Sequence, residues 1–298
     1  MKTFPPAVLT APCKVNLVLR ITGRREDGYH ELETLFLPLP EPHDVLRVTP
    51  GEPGRGLLLD CPGVDVPAEK NLVHRACTAF AAATGIPPDV RVLVEKHIPS
   101  GAGLGGGSSD AAAMLAYLNE HAGAAALTPE RLAETALGLG ADVPFFLLGR
   151  PALAHGVGER LQPVEVDLSG LHLLLLCPSE HVDTAWAYRE WDARRLGKPH
   201  GAGLPQVLTG PGEMDTGSLC PWPVCLENDF EAAVFPAFQT LRRYKEELLR
   251  LGAAGAVMSG SGASIVAAFR DLSTANAAAR ALAGTGEEKA PGAFIHSP

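Results

Sequence analysis

The sequence predicts a two-domain protein in which β-strands and α-helices are mixed, and three observations support this prediction. The chain has 298 residues, enough for two domains that each bury a core. Hydrophobic residues make up 46% of it and charged residues 20%, the balance of a folded globular protein. Strand-like segments dominate its opening, and helical segments follow. We place the domain boundary near residue 163, which gives domains 1–162 and 163–298.

Charge and cysteine content exclude several kinds of function. The formal net charge of -9 leaves no positive field to attract nucleic acid or an anionic membrane. The six cysteines are scattered without a CxxC pair, so neither a disulfide framework nor structural zinc is expected. Prolines interrupt the N-terminal segment where a signal peptide needs an apolar run, and no segment is long enough to span a membrane. We expect a cytoplasmic protein with small-molecule partners, as a monomer or weak homodimer.

The first elements are predicted to be strands. Residues 11–21, APCKVNLVLRI, interleave apolar and polar residues and predict a strand. The Asp27-Gly28 turn predicts a second strand paired with the first, with Tyr29 and His30 at the tip. LRVTP and RGLLLDCP predict further short strands, and the helical pattern of AEKNLVHRACTAFAAATG closes at Gly85.

The next elements are a strand, a glycine-rich loop and two helices. VRVLVEKH, residues 90–97, predicts the strand, and DAAAMLAYLNEHAG predicts a helix with Ser108 and Ser109 as N-cap candidates. PERLAETALGLG predicts a second helix that breaks at Gly140, so that Asp142 lies just past a helix end.

The second half begins with an apolar strand, LHLLLLCP. Residues 196–223 are rich in Gly and Pro and predict a long surface loop. The segment NDFEAAVFPAFQTLRRYKEELLRLGAAG predicts one amphipathic helix, and AVMSGSGASIVAAF predicts a strand, a turn of small residues and another strand.

The glycine-rich loop carries the strongest functional signal. Five glycines between a strand and a helix allow backbone N–H groups to converge on an anion at the helix N-terminus, which predicts phosphate binding. The alternative is a loop that is only flexible. The predicted phosphate-binding residues are Pro99, Ser100, Gly101, Ala102, Gly103, Leu104, Gly105, Gly106, Gly107, Ser108 and Ser109.

Two common phosphate-binding patterns do not fit this loop. A Walker A motif needs a lysine after its last glycine, and here Gly107 follows Gly106. Gly101, Gly103 and Gly106 match GxGxxG, but that pattern requires a second strand that ends in an acidic residue. The chain enters the helix over 129–138 instead, so a dinucleotide-binding dehydrogenase is disfavoured.

The loop together with its flanking residues, PSGAGLGGGSSDAA, resembles the second motif of the GHMP kinases. APCKVNL is similar to the first motif of that family, and MSGSGAS, Met258–Ser264, is similar to the third. The resemblance covers the whole chain. It implies an α+β, two-domain GHMP kinase fold with the active site in the cleft between the domains, and ATP and Mg²⁺ as co-substrate and cofactor.

Three local patterns resemble one branch of this superfamily: TGRREDGYHELET, GLGGGSSDAA and GADVPFF. The branch implies phosphorylation of the 2-hydroxyl of 4-diphosphocytidyl-2-C-methyl-D-erythritol in the non-mevalonate isoprenoid pathway. It also implies that Tyr29 and His30 contact the cytosine, with Tyr188 on its other face. A flat base with polar edges needs an aromatic ring and a hydrogen-bonding group beside it.

The resemblance further implies the roles of individual residues. Lys14 and Asp142 are expected to be catalytic, as the cation and the base that phosphoryl transfer requires. Asn16 is expected to bind substrate near the transferred group, and Asn71 and Leu72 to lie beside the adenine. Ser261 and Gly262 of the third motif are expected at the substrate site. Ser108 or Ser109 is a candidate Mg²⁺ ligand, and the metal ligands otherwise stay unknown.

Simpler interpretations remain open at this point. Without the resemblance, Asp142 could be only a helix-end residue, Lys14 an edge-strand charge, and Tyr29-His30 the cap of a hairpin. One rival function is another GHMP kinase acting on homoserine or mevalonate, against which the DGYH turn argues. The other is a non-catalytic nucleotide or metabolite sensor on the same scaffold, against which Lys14 and Asp142 argue.

Overall fold

A computed structural model describes residues 3–64, 66–194, 226–283 and 292–297, which fall into two compact units. Unit 1 is drawn from residues 1–13, 42–99 and 105–149, and unit 2 from residues 14–41, 100–104 and 150–298. Both units are discontinuous in sequence, whereas the predicted domains, 1–162 and 163–298, are continuous. The division into those two domains stays a prediction. The predicted loop 196–223 lies outside the described residues.

Two long strands open the chain, β1 (Ala7–Arg24) and β2 (His30–Pro50), and they are hydrogen-bonded neighbours as predicted. Gly28 has a φ of 89° in the turn between them, and the N–H of Tyr29 donates to the Asp27 carboxylate at 3.1 Å. Hydrogen bonds from Arg25 and from this N–H lower the pKa of Asp27, so its carboxylate stays ionised at neutral pH. The Asp-Gly pair in the sequence thus correctly predicted the position of this turn.

In unit 1, β3 (Leu57–Asp60) pairs in parallel with β4 (Val90–Glu95), and β4 pairs antiparallel with the end of β2. Buried residues alternate along β4, as the pattern VRVLVE predicts. The prediction of a separate strand at LRVTP is wrong, because these residues are the end of β2. Prolines precede them, but the fixed φ of proline is compatible with an extended chain, so the strand continues.

Four helices pack against these strands in unit 1: α1 (Leu72–Thr84), α2 (Gly106–Glu120), α3 (Pro129–Leu137) and α4 (Val143–Leu148). Asn71 caps α1, because its side chain accepts from the N–H of Val73 at 2.9 Å, and Gly85 ends it with a φ of 72° as predicted. The predicted helix up to Gly140 ends earlier, and α4 was not predicted. Pro144, in the first turn of α4, fits a helix start, so a new helix begins here.

The start of α2 corrects the prediction that Ser108 or Ser109 caps this helix. The cap is Gly105, in the left-handed conformation with a φ of 73°, and both serines lie inside the first turn. A left-handed glycine turns the chain into the helix without a polar side chain. The N–H of Ser109 donates to the carbonyl of Gly105 at 2.9 Å, so the helical hydrogen bonds begin within the glycine run.

Unit 2 has seven further strands and four helices among its described residues. The strands are β5 (Ala152–Gly156), β6 (Arg160–Pro163), β7 (His172–Cys177), β8 (Glu227–Asn228), β9 (Gly255–Met258), β10 (Ile265–Phe269) and β11 (Gly292–His296). The helices are α5 (Thr184–Ala193), α6 (Phe230–Val234), α7 (Gln239–Arg250) and α8 (Leu272–Ala283). An antiparallel sheet in the order β11-β7-β10-β9 carries α7 and α8, and its buried residues form a core separate from that of unit 1.

The structure tests two predictions for unit 2. The strand, turn and strand at MSGSGAS is confirmed, because Met258 of β9 pairs with Ile265 of β10. The amphipathic helix predicted between Asn228 and Gly255 is confirmed as α7, and the shorter α6 before it was not predicted. Pro236 lies between the two helices, and because proline has no N–H it cannot continue the helical hydrogen bonds. None of the helices in the described ranges combines the length and apolar character that crossing a membrane requires.

Asp183 provides a test of how α5 begins. Its side chain accepts from the N–H of Trp186 at 2.7 Å and thereby caps the helix. Asp183→Ala should lower the free energy of unfolding by about 1 kcal/mol, measured by urea titration. Asp183→Asn retains an acceptor and should stay close to wild type; equal losses in both variants would contradict the capping role.

Candidate active site

The first half of the glycine-rich loop, residues 100–104, belongs to unit 2 and is held there by three backbone carbonyls. The carbonyl of Ala102 accepts from the N–H of Ser264 at 3.1 Å, and that of Gly103 accepts from the hydroxyl of Ser259 at 3.0 Å. The carbonyl of Leu104 accepts from the N–H of Lys14 at 3.0 Å. The third sequence motif and the strand that carries Lys14 thus fix this part of the loop.

Glycine is required in this half of the loop for two reasons. Gly101 and Gly103 have φ values of 68° and 75°, in the left-handed region that other residues rarely adopt. A Cβ at Gly101 would lie 2.0 Å from Nδ1 of His181, and one at Gly103 would lie 2.2 Å from the carbonyl oxygen of Ser259. The close approach to Ser259 therefore depends on the missing side chain.

The second half of the loop, in unit 1, is the N-terminus of α2. The N–H groups of Gly106, Gly107 and Ser108 precede the first helical hydrogen bond and have no intrahelical acceptor. Such N–H groups, together with the helix dipole, favour an anion. Ser108 is half-buried, whereas Ser109 is buried and its hydroxyl has no partner among the described residues. The geometry therefore supports the phosphate-binding prediction for this segment.

Lys14 and Asn16 project from β1 in unit 2, and both are buried. The Nζ of Lys14 donates to Oδ1 of Asn16 at 2.7 Å and lies 5.1 Å from the centre of the Phe36 ring. The side-chain amide nitrogen of Asn16, Nδ2, donates to the hydroxyl of Thr34 at 2.8 Å. That hydroxyl in turn donates to the carbonyl of Val18 at 2.6 Å. This chain of bonds fixes the rotamer of Asn16, which orients the ammonium of Lys14.

The aromatic residues predicted to contact a base lie in unit 2. Tyr29, at the hairpin tip, is 66% exposed, whereas His30 is buried. His30 stacks on Tyr188 with ring centres 4.5 Å apart, and its Nε2 lies 2.8 Å from a carboxylate oxygen of Asp192. An ionised carboxylate can only accept a hydrogen bond, so Nε2 carries the proton. The structure brings His30 and Tyr188 together, and their predicted contact with a base stays a prediction.

Four other predicted residues have the following surroundings. Asn71 and Leu72 form the start of α1 in unit 1, where the side chain of Asn71 is engaged in capping. Ser261, in the third motif, is buried and lies 2.8 Å from the hydroxyl of Thr184 at the start of α5. Gly262 has a φ of 96°, and a Cβ there would lie 2.8 Å from the sulfur of Met258. Their substrate contacts stay predictions.

Asp142 lies immediately before α4 in unit 1 and is half-buried. It has helical backbone angles, but its side chain makes no capping hydrogen bond to α4. Asp142 and Lys14 belong to different units, and the pairing of the two residues stays a prediction.

Several polar residues around these positions were not predicted from the sequence. Thr34 and Asp192 hold Asn16 and His30, and two buried aspartates, Asp44 and Asp110, lie with the half-buried Lys96 near the start of α2. Only Asp110 lies within a motif, directly after the two serines. The others have no local signal, because each pairs with a residue distant in the sequence.

Comparison with known proteins identifies the family. The family model for the N-terminal domain of GHMP kinases matches residues 71–150, and the model for the GHMP kinase C-terminal domain matches residues 213–288. A 4-diphosphocytidyl-2-C-methyl-D-erythritol kinase from Solidesulfovibrio magneticus is 49% identical, over 96% of this chain and 97% of its own length. One from Nitratidesulfovibrio vulgaris Hildenborough is 46% identical, over 93% and 95% of the two chains.

Solved structures agree with the sequence relatives. A crystal structure of 4-(cytidine 5'-diphospho)-2C-methyl-D-erythritol kinase matches with a TM-score of 0.75 and 37% identity, over 97% of this chain and 98% of that one. Mevalonate kinase from L. major matches with a TM-score of 0.64 over 98% and 96% of the chains, but at only 16% identity. The second match shows a shared fold alone.

Gly103 and Gly107 provide a matched pair for testing the loop. A side chain at Gly103 would require an unfavourable φ and would clash with the Ser259 carbonyl, whereas one at Gly107 would meet only Leu72 at 3.5 Å. Gly103→Ala should therefore lower the free energy of unfolding by about 2 kcal/mol or more. Gly107→Ala should stay within about 0.5 kcal/mol of wild type in the same urea titration. Equal stabilities would show that the approach to Ser259 is not tight.

Proposed function

Because this chain belongs to the 4-diphosphocytidyl-2-C-methyl-D-erythritol kinase family of GHMP kinases, we propose that it phosphorylates the 2-hydroxyl of 4-diphosphocytidyl-2-C-methyl-D-erythritol. The chain is an ATP-dependent small-molecule kinase. The observation that carries the proposal is the N-terminus of α2, where a run of glycines leaves three N–H groups without helical partners. The reaction is a step of the non-mevalonate isoprenoid pathway, proposed to take place in the cytoplasm, where ATP is available.

In the proposed mechanism the protein mainly positions the reactants and balances charge. The N–H groups at the start of α2 bind the phosphates of ATP, and Asn71 and Leu72 lie beside the adenine. Lys14, oriented by Asn16, stabilises negative charge on the transferred group. Asp142, half-buried directly before α4, accepts the proton of the attacking hydroxyl.

Magnesium is proposed to be held mainly by ATP. The described residues contain no group of three or more His, Cys, Asp or Glu side chains arranged for a metal ion. The half-buried hydroxyl of Ser108 fits a Mg²⁺ ion on the phosphates better than Ser109, whose hydroxyl is buried. Bound Mg²⁺ neutralises charge on the β and γ phosphate oxygens.

Recognition of the acceptor is proposed to depend on the cytidine moiety. Tyr29 offers an exposed ring for stacking, and the buried His30, held by Asp192, offers a hydrogen-bonding edge. Tyr188 already stacks on His30, so its proposed place on the other face of the base requires this pair to separate or the base to lie beside it. Ser261 and Gly262 are proposed to line the same acceptor site.

A coupled assay of ADP release tests the function directly. ATP and Mg²⁺ are supplied with 4-diphosphocytidyl-2-C-methyl-D-erythritol, with homoserine, with mevalonate, or without an acceptor. We expect ADP release with the cytidylyl acceptor alone. ADP release with homoserine or mevalonate would agree with a kinase but contradict the proposed acceptor. No ADP release in any of the four reactions would favour a non-catalytic sensor.

Asp142→Asn tests the proposed base. The change retains size and polarity but removes the proton acceptor, so kcat should fall by about 100-fold to 10,000-fold while the KM for ATP changes little. Asp167→Asn, at an exposed aspartate that accepts from the N–H of Ser169, is the control and should leave kcat unchanged. A kcat of Asp142→Asn close to that of wild type would show that Asp142 is not the base.

Tyr29→Ala tests recognition of the base. The side chain is exposed, so its removal should leave the fold intact and raise the KM for the cytidylyl acceptor by about tenfold, with little change in the KM for ATP. Leu58→Ala removes another exposed apolar side chain and should change neither KM. An effect of Tyr29→Ala on the KM for ATP alone would mean that the base lies elsewhere.

A further inference from the structure

Unit 2 contains a short chain of polar contacts behind the hairpin tip, formed by Arg24 at the end of β1, Asp192 of α5 and His30 at the start of β2. The two oxygens of the Asp192 carboxylate have different partners. Oδ1 lies 2.8 Å from Nε2 of His30, and Oδ2 lies 3.3 Å from Nη1 of Arg24. Asp192 therefore joins an exposed guanidinium to a buried imidazole.

The contact with Asp192 fixes the imidazole of His30 in one orientation. A ring flipped about its Cβ–Cγ bond would place a carbon atom against the carboxylate and lose the hydrogen bond. Tyr188 lies parallel to the ring with centres 4.5 Å apart, and Trp191 lies perpendicular to it with centres 5.6 Å apart. Packing and the hydrogen bond thus act together on this buried ring.

The same contact decides which hydrogen-bonding group His30 offers to a ligand. Nε2 carries the proton that Asp192 accepts, and a neutral imidazole has only one N–H, so Nδ1 is an acceptor. Nδ1 makes no hydrogen bond in the part of the chain that the structure describes. A donor on a bound base can therefore use it.

An acceptor at this position distinguishes between two pyrimidine bases. Cytosine carries an amino group at C4, which donates, whereas uracil carries a carbonyl oxygen there, which only accepts. Nδ1 of His30 can pair with the amino group, but against the carbonyl it would place two acceptors face to face. Such an unpaired, opposed contact discriminates strongly between otherwise similar ligands.

We propose that Asp192 is a positioning residue that holds His30 in the tautomer with its proton on Nε2, and thereby makes the acceptor site select cytosine over uracil. This inference rests on the proposed binding of the base at Tyr29 and His30. The kcat/KM of wild type for the cytidylyl acceptor should exceed that for its uridylyl analogue by about 100-fold or more.

The first test is Asp192→Asn, whose new amide has one oxygen and one NH₂ group. Arg24 is a donor and attracts the amide oxygen, which turns the NH₂ group toward Nε2 of His30. Nε2 must then accept, so the proton moves to Nδ1 and the site presents a donor to the base.

The measurement is the ratio of kcat/KM for the cytidylyl acceptor to kcat/KM for the uridylyl analogue, by ADP release at pH 8.5, where imidazole is ordinarily neutral. Asp192→Asn should lower this ratio by about 100-fold relative to wild type. A general loss of activity would lower both kcat/KM values and leave their ratio unchanged. An unchanged ratio would therefore overturn the inference.

Arg24→Ala provides the matched control. It removes the other partner of Asp192 but leaves the contact with His30, so the ratio should stay at the wild-type value. In the double variant with Asp192→Asn, no guanidinium orients the new amide, which can turn its oxygen toward Nε2. Most of the preference for cytosine should then return. A double variant with the ratio of Asp192→Asn alone would contradict the proposed control of the tautomer.

NMR of the imidazole nitrogens tests the tautomer without any substrate, with His30→Ala to assign the signals. Wild type should carry the proton on Nε2 of His30, and Asp192→Asn should carry it on Nδ1. The same tautomer in both proteins would overturn the inference. Failure of the proposed function has a different result, because it would abolish ADP release with both bases and leave the NMR comparison unchanged. Equal turnover of both bases would retain the kinase and overturn the role of Asp192.

Discussion

The left-handed backbone of the glycine-rich loop is the constraint on which the proposed nucleotide site depends. Gly101, Gly103 and Gly105 all have positive φ values, and these bends bring the chain from β4 into α2. Because Gly105 ends the loop in this conformation, the helix can begin at Gly106 and leave its first N–H groups open to a ligand. The missing side chain at Gly103 also lets the loop contact the third motif. The proposed phosphate binding thus depends on backbone geometry.

Buried polar side chains support this backbone and hold each charged group in a defined place. Asn16 joins Lys14 to Thr34, and Asp192 holds His30. Such residues are costly to bury unless they are hydrogen-bonded, so each partner restricts the rotamer of the other. The candidate catalytic and binding groups are therefore pre-organised before a ligand arrives, which lowers the entropic cost of binding.

The sequence predicted the elements that have a local signal. The Asp27-Gly28 turn, the helix end at Gly85 and the apolar strand β7 were all located. The glycines between β4 and α2 also indicated a phosphate site, which stays a proposal. The start of α2 was missed, because a polar cap was expected and the cap is a glycine. The short helix α6 was missed because its five residues are too few to show a helical period.

The buried charges could not be read from the sequence for a different reason. Asp44 and Lys96 are 52 residues apart, and His30 and Asp192 are 162 apart. A lone charged residue beside an apolar segment looks like a solvated surface group when its partner is distant along the chain. Only the fold brings these partners together, so their roles were beyond any local pattern.

The course of the chain has a consequence for how this protein can be divided. Unit 1 is assembled from three separate stretches of sequence and unit 2 from three others, and β1 and β2 each begin in one unit and end in the other. A single cut at any point therefore yields no fragment that contains one whole unit and nothing else. Insertions, fusions and split-protein designs must respect this interleaving, and a fragment ending at residue 149 would retain all of unit 1 but carry orphaned strands of unit 2 with it.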